Sequence, residues 1–494
     1  MGGLALRSRG EKSRLSLQES LAIGAILLIA LVMVLPDWHR GIYILFGWLV
    51  LEDLVRRALP GQPIQVQLVK EFLLLVLYVA FFVSWRKKGG TLWTPPFVAS
   101  LLGFSAVVFV DSLNPSLPSF FVPMLGIRSY LWYLPLLWIG FYAFKTKRDV
   151  VRFSRGMMTL AIPLAALAVV QYVLWEELPE WLRPLEGAHA VHTVAFEYGG
   201  TILSYESKLP SSVFGSAHRF AMFSLFLFFL GIGVWGSSPG PSKCRGRRFT
   251  GFCIFAALVC IVTAGTRMGM GLVVIGLLLL VVQPVLAGRR GFFRKRARLR
   301  QVLAGLILGC AFFVMLHVFQ DTGRFFLYTT EEGVKTHWAG FTTGELPLVL
   351  KKAAWMGFGT GANSQGLNYV AGGAEALNFQ SRESWGVGVE YGLAKVTWEL
   401  GIVGLGVFLI LWGHIFLSIA RYLRALRGLE VRPLAAALAA YLLLLFVAFL
   451  KGHQYFGDGT TLVLYWFGMG MFFSLRRIER LESLRAARAA SLPR

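Results

Sequence analysis

Long apolar runs recur along almost the whole chain, separated by short stretches rich in glycine, proline, polar or basic residues. Runs of this kind are read as helices that cross about 30 Å of hydrocarbon. They fall near 19–36, 66–85, 97–111, 128–144, 157–175, 220–236, 250–266, 268–288, 301–319, 395–420, 434–450 and 460–475. A further stretch, Ile42 to Leu51, runs straight into Glu52, Asp53, Arg56 and Arg57. Counted as a span, it would put the N-terminal cations on the opposite side from every other basic cluster, so 42–65 is expected to be a partial or interfacial element. Two segments, 176–219 and 320–394, are too polar and too punctuated by Gly, Pro, Ser and Asn to be spans, and too long to be plain turns.

The expected fold is therefore all-α: a polytopic integral membrane protein with about 12 transmembrane helices and two large extracytoplasmic loops. Its parts are a cytoplasmic basic N-terminus (1–18), N-terminal spans (19–175), a first loop (176–219), central spans (220–319), a second loop (320–394), C-terminal spans (395–475) and a cytoplasmic basic tail (476–494) expected to be a short, fraying helix.

Charge fixes the orientation. Most of the 49 basic residues lie in seven clusters at the ends of apolar runs: Arg7 to Arg14, Arg86 to Lys88, Lys145 to Arg155, Lys243 to Arg248, Arg289 to Arg300, Arg421 to Arg432 and Arg476 to Arg494. With both termini cytoplasmic, all seven face inward, so the net charge of +23 is a topology signal and no footprint for nucleic acid. The chain is 56% hydrophobic with a mean hydropathy of +0.62, more apolar surface than a soluble core can hide. No cleavage site follows the first apolar run, which reads as an uncleaved span. The basic, phenylalanine-containing run 288–300 reads as an anchor on anionic lipid. The four cysteines have neither disulfide nor zinc spacing and read as inert thiols. Walker A, dinucleotide-binding and H-E-x-x-H patterns are missing, so no cofactor or metal is expected. Gly357 to Gly361, GFGTG, reads as a glycine-rich turn and not as a phosphate cradle.

More telling are cations on the side where the positive-inside rule does not predict them. Arg219, after His218, stands where the first large loop enters a span. Arg267 stands between two spans joined by almost no loop, and Arg128 begins another span on the same side. Guanidinium forks match phosphate oxygens and neutralise a departing diphosphate.

These residues resemble the bacterial O-antigen polymerase and O-antigen ligase superfamily of membrane glycosyltransferases, from about Arg128 to the C-terminus. Three elements carry the resemblance in order: Thr263-Ala264-Gly265-Thr266-Arg267 between two central spans, the GFGTG turn in the large loop, and Glu399-Leu400-Gly401-Ile402-Val403-Gly404-Leu405, of the form E-x-G-x-x-G-L. The resemblance implies transfer of a glycan from an undecaprenyl-diphosphate carrier to an acceptor hydroxyl at the extracytoplasmic face of the inner membrane. Arginines hold the diphosphate, here Arg267 and Arg219 with support from Arg128, and a loop base takes the acceptor proton. Ligases are similar to one another in an H-N-x-x-L element nine residues before the E-x-G glutamate. Glu390 occupies the place of its histidine here, so Glu390 is the expected base, and a chain polymerase for O-antigen, capsule or exopolysaccharide is favoured over a lipid A ligase. Further candidates are His218, Arg324, Arg382, Lys395 and His453. The expected partners are the lipid-linked glycan, the bilayer, a chain-length regulator and a flippase. A transporter or flippase of lipid-linked sugars is the rival from another class, but the inverted repeats and broken midplane helices typical of transporters are not evident.

Overall fold

The computed structural model describes residues 31–59, 66–183 (except 116 and 118), 191–198, 201–237, 244–286, 346–364, 389, 391–452 (except 427, 429 and 430) and 457–491, together with Gly24 and Leu28. Its helices are α1 (Trp38–Ala58), α2 (Val66–Lys87), α3 (Val98–Ser112), α4 (Phe121–Tyr130), α5 (Leu136–Tyr142), α6 (Lys147–Thr159), α7 (Ala161–Val173), α8 (Ala217–Ser237), α9 (Cys244–Thr263), α10 (Arg267–Leu286), α11 (Leu346–Lys352), α12 (Gly392–Ala425), α13 (Arg432–Lys451) and α14 (Gly459–Ser491). Within the first expected loop, β1 (Val191–Tyr198) and β2 (Thr201–Lys208) pair antiparallel, from Val191 opposite Lys208 to Tyr198 opposite Thr201. Among the described residues six helical stretches are long and apolar enough to cross a membrane: Val66–Lys87, Lys147–Val173, Ala217–Ser237, Gly246–Thr263, Gly392–Ala425 and Arg432–Lys451. This is the architecture of a helical membrane protein. The expected span 301–319, most of 19–36, the basic run 289–300 and most of 320–394 lie outside the described residues.

The chain forms two compact units. The first comprises Met1–Leu92 and Val170–Ser216. Here α1 is a continuous helix of 21 residues whose N-cap Asp37 accepts from the His39 N–H, and it is not among the helices long and apolar enough to cross a membrane, in keeping with the expectation that 42–65 is no full span. Its charges turn inward and find partners. Glu52 takes Lys70 of α2 at 3.1 Å on both carboxylate oxygens, with each side chain only 2% exposed. Asp53 Oδ2 accepts from the Gly215 N–H at 2.7 Å, and Arg57 donates to the carbonyls of Arg183 and Ser212, both at 2.8 Å. Gln171 closes the knot, accepting from the Ser212 N–H and donating to the Ser212 and Leu182 carbonyls. A buried charge is tolerated only when so paired. Ser212 sits at φ 51, and this network grips its peptide groups from both sides.

The second unit comprises Trp93–Val169 and Ala217–Arg494. At its centre is α8, of whose apolar window 83% is buried, as expected for a helix that is hydrophobic all round. The expected span 128–144 is instead two short helices, α4 and α5, because Pro135 supplies no N–H and disfavours helical geometry at Leu134. The α5 backbone lies against α14, where Gly140 and Gly470 leave no room for a side chain.

Four of the seven basic clusters gather at one end of this unit. Lys147 donates its N–H to Glu482, Arg477 donates to the Phe144 carbonyl, and the Gly428 N–H reaches Glu479. Arg247 lies over the Trp235 ring near the end of α8, where Gly236 meets Pro433. The acids Glu479 and Glu482 thus anchor the tail, which continues the last apolar segment as one helix to Ser491. Of the cysteines, Cys253 and Cys260 are free and buried, in keeping with inert thiols.

Candidate functional site

Two sequence elements that lie about forty residues apart meet as one structure in the second unit. Helix α12, a candidate membrane span, is interrupted at Gly401, at φ 68 and ψ −169, a conformation that excludes a side chain, so a broken helix that the sequence did not make evident is present. Such a break frees backbone groups, which within a membrane protein must find internal partners. The segment 354–359 partners four of them. Phe358 and Gly359 donate their N–H groups to the carbonyls of Trp398 and Glu399, at 2.8 and 3.0 Å. Returning the exchange, Ile402 and Val403 donate to the carbonyls of Ala354 and Trp355, at 3.2 and 3.3 Å. The GFGTG turn is therefore a plug in a broken helix, its glycines at positive φ so that the chain can approach this closely. On its other side Thr360 donates its N–H to the Asp111 carbonyl and its hydroxyl to the Val108 carbonyl, tying the plug to α3.

Glu399, the last residue but one before the break, is fully buried. Its Oε2 accepts from the Tyr130 hydroxyl at 2.6 Å. Its Oε1 accepts from the Asn363 N–H at 2.9 Å and the Ser364 hydroxyl at 3.4 Å, and Lys395 Nζ lies 3.6 Å away, one helical turn earlier. Lys395 also donates to the Asn363 carbonyl at 3.2 Å, so the ion pair holds the Asn363 residue by both its N–H and its C=O. The Asn363 side chain in turn donates to the Val389 carbonyl at 3.1 Å. Asp111 is buried as well, and its Oδ2 has no hydrogen-bond partner among the described residues.

Of the arginines expected to bind a diphosphate, Arg219 occupies the first turn of α8, half-buried, and its Nε donates to Asp458 Oδ1 at 2.8 Å. Asp458 Oδ2 accepts from both the N–H and the hydroxyl of Thr461, so one carboxylate caps α14 and holds the Nε edge of Arg219. Arg267 opens α10 two residues after Gly265, which takes φ 63 in the tight turn from α9, as the near absence of a loop predicts. A side chain built on Gly269 would touch Ala221, so the first turns of α8 and α10 pack together, and Arg219 and Arg267 each stand two residues before that contact. Arg128 is half-buried in α4, two residues before the Tyr130 that reaches Glu399. His218 shares the first turn of α8.

Lys395, a second-tier cation in the sequence, is committed to Glu399 and Asn363 and is 3% exposed. Glu390, Arg324, Arg382 and His453 lie outside the described residues. Tyr130, Asn363 and Asp458 are participants that sequence reasoning did not single out, since nothing in the local pattern marks partners that lie 269, 36 and 239 positions away. Among the described residues there is no group of three His, Cys, Asp or Glu side chains placed to hold a metal ion. Neither a protein-family model nor a curated protein matches this chain.

Proposed function

We propose that the chain is a membrane glycosyltransferase that polymerises oligosaccharide repeats carried on undecaprenyl diphosphate, acting at the extracytoplasmic face of a bacterial inner membrane. The observation that carries this reading is the plugged break: GFGTG and the E-x-G-x-x-G-L helix, which resemble the family's elements in sequence, pack against each other through four backbone hydrogen bonds. The packed first turns of α8 and α10 support it further, because they set the backbones bearing Arg219 and Arg267 side by side.

In this reading the basic end of the second unit faces the cytoplasm and the starts of α8 and α10 face outward. Arg267 and Arg219 neutralise the diphosphate, with Asp458 fixing the direction of the Arg219 guanidinium, and Arg128 supports them. Glu390 takes the proton of the acceptor hydroxyl. That oxygen forms a bond to the anomeric carbon of the donor, the bond from this carbon to the phosphate oxygen breaks, and undecaprenyl diphosphate leaves with its charge already neutralised.

The test is reconstitution with lipid-linked repeats alone, without ATP or nucleotide sugar. A ladder of longer lipid-linked chains is expected. Arg267→Ala abolishes the ladder, and Arg267→Lys restores part of it, because a point charge cannot form the bidentate fork. Glu390→Gln lowers the rate by about 10²–10⁴-fold while donor binding persists. A requirement for lipid A core as acceptor would make the protein a ligase, and movement of substrate without a change in its length would make it a transporter.

A further inference from the structure

Past its break α12 exposes one stripe of apolar side chains at helical spacing, Ile402, Val403, Leu409, Ile410 and Leu417. On a candidate span, a stripe of this kind is the face that meets lipid. From Ile402 to Ala420 the helix carries no Asp, Glu, Lys or Arg. That stretch is about 28 Å long, close to the roughly 30 Å of hydrocarbon. Arg421 marks one boundary, and the break at Gly401 marks the other. At this second boundary the carbonyls of Ala354 and Trp355 accept the Ile402 and Val403 N–H groups. The exposed Trp355, at 70%, and Met356 are therefore held beside the end of the lipid-facing stripe. Helix α11 prepares that placement. Val349 and, just past its end, Ala353 turn into a core cluster with Ala362, Ala394 and Trp398. Hydrogen bonds from the Ala353 N–H to the Val349 carbonyl and from the Gly357 N–H to the Ala353 carbonyl carry the helical turn on through Trp355. Leu348, Lys351, Lys352 and Trp355 consequently share the opposite side, all of them exposed.

We infer that this face, Leu348, Lys351, Lys352, Trp355 and Met356, is a phospholipid-binding surface that seats the plug on the membrane boundary, with the apolar side chains among the acyl chains and the lysines on the headgroup phosphates. The occupant follows from continuity with the lipid face of α12 and from charge, since ammonium groups beside an apolar surface match anionic headgroups. Tryptophan suits such a boundary, because its ring takes the apolar side while its N–H reaches the wet side, and lysine stems do the same. The inference needs only that α12 spans the membrane and is independent of the polymerase reading. Its consequence lies at the break. The Trp355 carbonyl lies against Gly401 and accepts from Val403, so the residue whose ring enters the lipid also helps to close the broken helix.

The test attaches a nitroxide label at Trp355→Cys, in full-length protein whose four native cysteines are replaced by serine, reconstituted in phosphatidylethanolamine vesicles with and without phosphatidylglycerol. Ile410→Cys on the lipid face of α12 and Ser483→Cys in the exposed tail are the references for lipid and for water. The label at 355 is expected to collide with oxygen as often as at 410, and to show a several-fold loss of collisions with a water-soluble nickel complex relative to 483. Leu348→Cys, which leaves the plug residues untouched, should read alike. Phosphatidylglycerol should lower the nickel collisions at 355 further, and Lys351→Gln combined with Lys352→Gln should cancel that decrease. Nickel collisions at 355 and 348 equal to those at 483 would overturn the inference, because the surface would then lie in water. Shielding of both positions from oxygen and nickel alike would overturn it too, by showing that protein covers the face. A phosphatidylglycerol effect that is absent, or that survives the double substitution, would overturn the lysine contacts.

Discussion

Replacing Gly401 by alanine is the sharpest test of the plugged helix. An L-residue at φ 68 and ψ −169 costs about 1–3 kcal/mol in backbone strain. The added methyl group would also collide with the Trp355 carbonyl and the Gly357 N–H, so the plug must move. Movement puts at risk the four hydrogen bonds from 354–359 to 398–403, each worth about 0.5–1.5 kcal/mol. If all four are lost, the two costs together come to about 3–9 kcal/mol, large beside the usual stability of a domain. Gly406 provides the control. It lies in the same helix, nothing stands within 4 Å of an added Cβ, and alanine there should be neutral or stabilising by about 1 kcal/mol. The measurement is the thermal transition of each purified variant in the same detergent, followed by the loss of monodisperse protein on size exclusion. Gly401→Ala must melt well below wild type and Gly406→Ala at or above it. Equal transitions for the two variants would refute the claim that the break is held by the turn.

Asp458→Ala removes both the α14 cap and the Arg219 counter-charge, and should destabilise by about 1–3 kcal/mol, whereas Asp458→Asn keeps one acceptor oxygen, enough for the cap or for Arg219 but not for both, and should cost less; thermal unfolding of the two variants would show the order. Single cysteines at Ser204 and Thr342 should label from the same side of intact spheroplasts, opposite both termini, and labelling from opposite sides would defeat the orientation.

The apolar pattern made the membrane-spanning character legible, because length and hydropathy alone mark α2, α8, α9 and α13. It also set α1 apart from the spans, but it did not show where the charges of that helix go. Glu52, Asp53 and Arg57 look like the end of a membrane segment until Lys70, Gly215 and Ser212 are brought against them, and no local signal announces partners that far along the chain. It failed at 128–144, where the apolar run continues through Pro135 although the helix does not. Hydropathy reports what lipid accepts, and proline is apolar enough to pass.

The candidate site was legible in pieces and not as a whole. GFGTG was recognisable as a turn and Glu399 to Leu405 as a helix, but their union depends on Gly401 leaving helical geometry, and glycine within an apolar helix is too common to signal a break by itself. What separates Gly401 from Gly406 is an acid two residues before it that needs four donors, and those donors come from Tyr130, Asn363, Ser364 and Lys395. In lipid, apolar contacts discriminate poorly between one helix face and another, so the scarce buried polar groups carry the partner choice. The same logic applies to Arg219. Its position at the membrane boundary could be read from the sequence, yet its direction is set by Asp458, 239 residues later in the chain. An arginine held at 2.8 Å by a carboxylate that is itself fixed by a helix cap has little freedom left, which is the condition under which a guanidinium can meet a diphosphate without first being ordered by it.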